Sequence, residues 1–126
     1  MQAKNLYKIL LCVEGIYILL TALWGLIDIK SFMQVTGPKT DIWLVKTVSV
    51  LLLPLVACIF FALFFKMDPL AVILVLIITS AGLASIDFYY TSNHTIKWVY
   101  ALDGIVQLIF ILLWTCLLLV IKKLRS

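Results

Sequence analysis

The chain has 126 residues, of which 65% are hydrophobic and only 13% charged, with a mean hydropathy of +1.20. Too little polar surface remains to cover a water-soluble domain, so the fold class is expected to be all-α with lipid as its solvent. The net charge of +4 is accounted for by attraction to anionic lipid headgroups, and no nucleic-acid partner is invoked.

A helical span needs ~20 apolar residues to cross ~30 Å of hydrocarbon, and four runs meet that requirement: residues 6–27, 43–65, 69–89 and 98–121. Together they predict an integral membrane four-helix bundle of up-down topology, a single domain over residues 1–126. The first run contains Glu14 and no separate small-residue cleavage region, so it reads as a retained span and not a signal peptide. Along it Tyr7, Glu14, Tyr17, Thr21 and Asp28 recur at helical spacing, a polar face expected to point into protein. The connection from Asp28 to Asp41 contains the helix-breaking pair Gly37-Pro38. Before that pair Ile29, Phe32 and Met33 fall at i, i+3 and i+4, which predicts a short helix lying in the membrane interface.

The second run carries Lys46 near its start and Pro54 in its middle, a kink that serves either as a static feature or as a hinge. Lys66-Met67-Asp68-Pro69 reads as a tight turn with Asp68 as N-cap and Pro69 in the first helical turn, which makes the second and third spans antiparallel neighbours. In the third run Ser80, Ala84 and Asp87 share a face within the small-residue stretch 79–85, where a neighbouring backbone can approach closely. The fourth aligns Tyr100, Asp103, Gln107 and Trp114. Trp24, Trp43, Trp98, Tyr89, Tyr90 and Tyr100 are expected to form an aromatic belt at one headgroup level. A short echo, Gly25-Leu26-Ile27-Asp28 before Trp43 and Gly82 to Asp87 before Trp98, suggests two duplicated hairpins related as a parallel repeat.

Charge orients these spans. Lys4, Lys8, Lys66, Lys122, Lys123 and Arg125 fall on one side, opposed only by Asp68. On the other side Lys30, Lys39, Lys46 and Lys97 are matched by Asp28, Asp41, Asp87 and Asp103. The positive-inside rule places both termini in the cytoplasm. At 1.5 Å rise per residue, Lys46, Asp87 and Asp103 each lie roughly 5–10 Å below the outer boundary. A lone ion at mid-bilayer costs ~2.5–3.5 kcal/mol, so a lysine between two aspartates at one depth is the expected remedy. Such a cluster is either internal glue or an outward polar pocket that admits water or the polar head of a small ligand. Glu14 sits deeper, with no basic residue at its depth. Gln107 and Tyr17 are its nearest polar candidates, and a carboxyl so placed is a proton-relay or ligand-site candidate.

Other signals are weaker. Cys12, Cys58 and Cys116 stand singly in apolar runs without a Cys-x-x-Cys and read as small buried core residues, which argues against thiol chemistry or a thiolate metal site. His94 and Lys97 fall at the outer rim and receive no site role. Asn93-His94-Thr95 fits a glycosylation triplet, on a loop too short to leave the membrane surface. No metal spacing, phosphate loop or nucleophile elbow occurs, so neither a cofactor nor an enzymatic activity is assigned.

The four-span layout, with the stretch Val35-Thr-Gly-Pro-Lys-Thr-Asp-Ile-Trp-Leu-Val-Lys-Thr-Val48 leading into a span, resembles the small DoxX-like bacterial membrane proteins. That resemblance implies a bacterial inner-membrane protein, sometimes an accessory subunit of a quinone-linked oxidoreductase, and transfers no catalytic residue. In layout the chain is also similar to small multidrug resistance transporters, whose essential first-helix glutamate Glu14 would match. Their third-helix glycine motif is absent, and the charge asymmetry here opposes their dual-orientation dimers. The function expected is therefore a small binding or accessory protein with its site at Lys46, Asp87, Asp103, Gln107, Glu14 and Tyr17. The alternatives are a proton-coupled transporter using Glu14 and a membrane subunit of a quinone-linked enzyme. Partners implied are the lipid bilayer, a small amphiphile or quinone, a membrane-protein partner, or a second copy of the chain.

Overall fold

The computed structural model describes residues 2–125, which form five α-helices: α1 (Gln2–Ile27), α2 (Ile29–Thr36), α3 (Ile42–Phe64), α4 (Pro69–Ser92) and α5 (Val99–Arg125). All but α2 are long and apolar enough to cross a membrane, matching the four runs expected. Helices α1 and α5 run beyond those apolar runs because Lys4, Lys122, Lys123 and Arg125 are good helix formers. Apolarity marks the hydrocarbon, whereas the helix continues past it. Only 17% of the most apolar stretch of α3 is buried inside the chain, so most of that surface needs an apolar solvent. The chain divides into two compact units, residues 8–65 and residues 66–126 together with residues 1–7.

In the first unit α1 and α3 approach each other through glycine. A methyl group added at Gly15 would stand 3.0 Å from Ile59 Cγ2, and one at Gly25 would collide with the Ser49 hydroxyl. Small residues allow such backbone approach where lipid offers no hydrophobic drive for helix association. The two contacts set an antiparallel register, Gly15 with Ile59 and Gly25 with Ser49 and Val45. Helix α3 runs unbroken through Pro54, which is exposed.

Helix α2 forms where the i, i+3, i+4 pattern predicts one. The Asp28 carboxylate caps it by accepting from the Ser31 N–H at 3.2 Å. Gly37 ends it with φ 105°, a left-handed conformation that only glycine adopts without strain, and its N–H donates to the Met33 carbonyl at 2.8 Å. The Trp24 indole N–H donates to Ser31 Oγ at 3.1 Å and its ring packs edge-on to Phe32 at 5.3 Å, which ties α2 to the end of α1. The Lys39 ammonium donates to the Thr36 carbonyl and hydroxyl and to the Gly37 carbonyl, and lies 5.8 Å from the Phe32 ring centre.

The second unit is an antiparallel hairpin of α4 and α5. Asp68 N-caps α4 by accepting from the Leu70 N–H at 3.2 Å, with Pro69 in the first turn as the sequence predicts. The Asp68 carboxylate also pairs with the Arg125 guanidinium at 3.0 Å, joining the start of α4 to the end of α5. Near the other end a methyl group at Gly104 would stand 2.9 Å from the Phe88 ring. Buried residues Ile73, Leu76, Ser80, Ala84 and Asp87 mark one stripe of α4. Gln107, Phe110, Trp114 and Leu117 mark one stripe of α5. Their three- and four-residue steps are those of helices packed at a shallow angle. Tyr7 meets Trp114 edge-on at 6.0 Å between ring centres. The turn between the helices includes His94 at φ 57°.

Two expectations change. The α1 polar face is buried at Tyr7 and Glu14, half-buried at Tyr17 and exposed at Thr21 and Asp28. A seven-residue step falls short of two full helical turns by about 20°, so the stripe drifts off the buried face toward its C-terminal end. Cys12 and Cys116 are exposed and Cys58 is half-buried, where small core residues were expected. Cys12 and Cys116 sit beside the stripes of Leu11, Glu14 and Ile18 and of Trp114 and Leu117, not in them.

Candidate functional site

Three of the expected site residues meet in the α4–α5 hairpin. Asp87 closes the buried stripe of α4 and is 6% exposed, while Asp103 lies near the start of α5 and is half-buried. The hairpin register brings the Asp103 side chain within hydrogen-bonding reach of Asp87. Gln107, one turn further along α5 and buried, donates its amide N–H to Asp103 Oδ1 at 3.5 Å. Next to the pair in sequence, the edge of the Phe88 ring lies against Gly104.

A further polar residue, Thr91, stands one turn after Asp87 on the same face of α4. Thr21, Thr36, Thr47, Thr79 and Ser85 each donate their hydroxyl to the carbonyl four residues earlier, the usual refuge of a hydroxyl on an apolar helix. Thr91 does not. Its Oγ1 is enclosed and has no hydrogen-bond partner, and the same holds for Asp87 Oδ2 one turn earlier on the same helix face. Buried polar atoms in this state are uncommon in folded proteins. Thr91 escaped the sequence reading although a signal existed, since it stands four residues after Asp87 and shares its face.

The remaining expected residues lie in the other unit. Lys46 is on the second turn of α3 and is exposed. Glu14 is 1% exposed, within the buried stripe of α1 between Leu11 and Ile18, and Tyr17 is half-buried one turn later. Tyr17 also borders an open groove of ≈ 570 Å³ along α1, together with Leu20, Thr21, Trp24, Ile27 and Asp28. Its walls are mostly apolar, and the one carboxylate there, Asp28, already caps α2.

The hairpin cluster is thus an acceptor-rich site: two adjacent carboxyl groups, with a glutamine amide turned to one of them. Two carboxylates side by side in a low-dielectric setting call for a compensating positive charge, whether a proton or a cation. Among the described residues no three His, Cys, Asp or Glu side chains gather as a metal-binding group. What the hairpin cluster can do is accept hydrogen bonds from a donor.

No family model, no curated protein and no solved structure matches the chain, so the DoxX-like resemblance rests on span layout and residues 35–48 alone.

Proposed function

We propose that the chain is a small multi-pass protein of a bacterial inner membrane, with both termini cytoplasmic, that binds a ligand or partner at the outer end of the α4–α5 hairpin. The observation that carries this reading is the enclosed, unpartnered Asp87 Oδ2 beside a second carboxyl, Asp103. Internal glue would satisfy its own acceptors, because an unpartnered buried polar group costs ~1–3 kcal/mol. A binding site keeps them ready for a donor from outside. Asp103 and Thr91 are half-buried, close to the turn between the helices, and provide the approach.

Native mass spectrometry of the protein released from a mild detergent tests the proposal. A small molecule or partner subunit should co-purify with the wild type and be lost from Asp103→Asn. Retention of the same species by Asp103→Asn would place binding elsewhere. A quinone or an oxidoreductase subunit in that spectrum would select the accessory-subunit alternative.

A second reading has its own observation, the nearly complete burial of Glu14 within an apolar span. A carboxyl there is suited to carry a proton in a coupled transporter. Proteoliposomes that move protons or a lipophilic cation with the wild type and not with Glu14→Gln would establish it.

A further inference from the structure

We propose that the end of the α4–α5 hairpin where Asp68 pairs with Arg125 is a docking surface for an anionic phospholipid headgroup, with Lys66 and Lys122 as its main phosphate-binding side chains. It lies at the opposite end of the hairpin from Asp87 and Asp103 and stands independently of the binding reading above. Four basic residues, Lys66, Lys122, Lys123 and Arg125, gather at this end against a single acid, Asp68. The 3.0 Å salt bridge is what gathers them. Lys66 precedes Asp68 by two residues, about 7 Å of extended chain, and Lys122 precedes Arg125 by three, about 5 Å along the helix axis. The Asp68 carboxylate is already engaged by the Arg125 guanidinium and by the Leu70 N–H, so it offsets one positive charge and leaves the rest for an anion. A lysine ammonium has three donors on a flexible stem, which suits the oxygens of a phosphodiester. One headgroup touching Lys66 and Lys122 joins the start of α4 to the end of α5, alongside the salt bridge.

The apolar residues at this end select a lipid over a dissolved anion. Leu124, between Lys123 and Arg125, is 72% exposed, and Met67, between Lys66 and Asp68, is exposed as well. A phosphate ion would satisfy the lysines and leave both apolar side chains in water. A phospholipid covers them with its acyl chains while the lysine stems run along the apolar surface to reach the phosphate. A zwitterionic lipid brings its own ammonium beside the phosphate and cannot offset the excess charge, so the headgroup is one with net negative charge.

The test titrates the full chain in a mild detergent with phosphatidylglycerol and phosphatidylethanolamine and counts bound lipid by native mass spectrometry. Phosphatidylglycerol should bind saturably, and phosphatidylethanolamine at least about tenfold more weakly. Glycerol 3-phosphate, which lacks the acyl chains, should not displace the lipid at equal concentration. Lys66→Gln combined with Lys122→Gln should weaken phosphatidylglycerol by about tenfold or more. Lys30→Gln combined with Lys97→Gln removes the same charge from α2 and from the turn between α4 and α5, and should leave binding unchanged. All four lysines are exposed, so none of these variants disturbs a packed core. Lys66→Arg combined with Lys122→Arg keeps the charge and should retain binding. Equal binding of the two lipids, or equal losses in the two glutamine double variants, would overturn the proposal. Displacement by glycerol 3-phosphate at equal concentration would overturn the assignment to a lipid.

Discussion

Gly15 offers a quantitative check of how α1 meets α3. A methyl group placed there would lie 3.0 Å from Ile59 Cγ2, against the roughly 3.5–4.0 Å of ordinary carbon contact. Ile59 is 0% exposed and β-branched, so its side chain has neither room nor an alternative rotamer, and the two helices must separate instead. Overpacking of this kind costs about 1–3 kcal/mol, while replacing a helical glycine by alanine returns about 1 kcal/mol in backbone propensity. Gly15→Ala should therefore be destabilising by about 0–2 kcal/mol. Ile59→Leu removes the offending branch at nearly constant volume and should cost less than about 1.5 kcal/mol. In that background Gly15→Ala should turn neutral or stabilising, so the double-mutant cycle should show about 1–3 kcal/mol of coupling. Reversible unfolding in mixed micelles by denaturing detergent, followed by tryptophan fluorescence, measures all four corners. If Gly15→Ala shifts stability equally in both backgrounds, within about 0.5 kcal/mol, the register that places Gly15 against Ile59 is wrong.

Local features predict smaller effects. Asp28→Ala removes the N-cap of α2 and should raise local opening of that helix by about 0.5–2 kcal/mol, read as faster amide exchange at Ser31 with little change in global unfolding. Gly37→Ala forces a side chain onto φ 105° and should destabilise the same segment by about 1–3 kcal/mol in the same exchange experiment. The Asp68–Arg125 pair is half exposed on both sides, so Arg125→Ala should cost less than about 1 kcal/mol and less still at high salt. Asp68→Ala should cost more in detergent unfolding, because that carboxylate also caps α4. From the charge distribution, a reporter fused after Ser126 should be cytoplasmic and one inserted near Gly37 external; the reverse orientation, or one shared side, would refute the topology.

The four apolar helices were legible in the sequence because a spanning helix satisfies its own backbone hydrogen bonds and needs only length and apolarity to declare itself. The caps were legible for a related reason. Asp68 in Asp68-Pro69 acts on an amide two residues away, and Gly37 answers a purely local conformational need, whereas the capping of α2 by Asp28 appeared only in the structure. The face shared by Ser80, Ala84 and Asp87 also followed from spacing alone, and all three are buried. Contacts between helices are another matter, since they depend on register and rotation that no short stretch encodes. Spacing united Tyr7 with Asp28 on α1, yet helical drift buries the first and exposes the second. Nothing in residues 15 or 104 announced that Gly15 would meet Ile59 or that Gly104 would meet Phe88. The same holds for the site. Depth arithmetic placed Asp87 and Asp103 at one level, but only the packing of α4 against α5 sets their side chains together with Gln107 beside them. The unpartnered Thr91 hydroxyl emerged only through the tertiary structure, because a threonine in a helix is ordinarily satisfied by its own backbone, and whether its hydroxyl has turned away is decided by the surrounding packing.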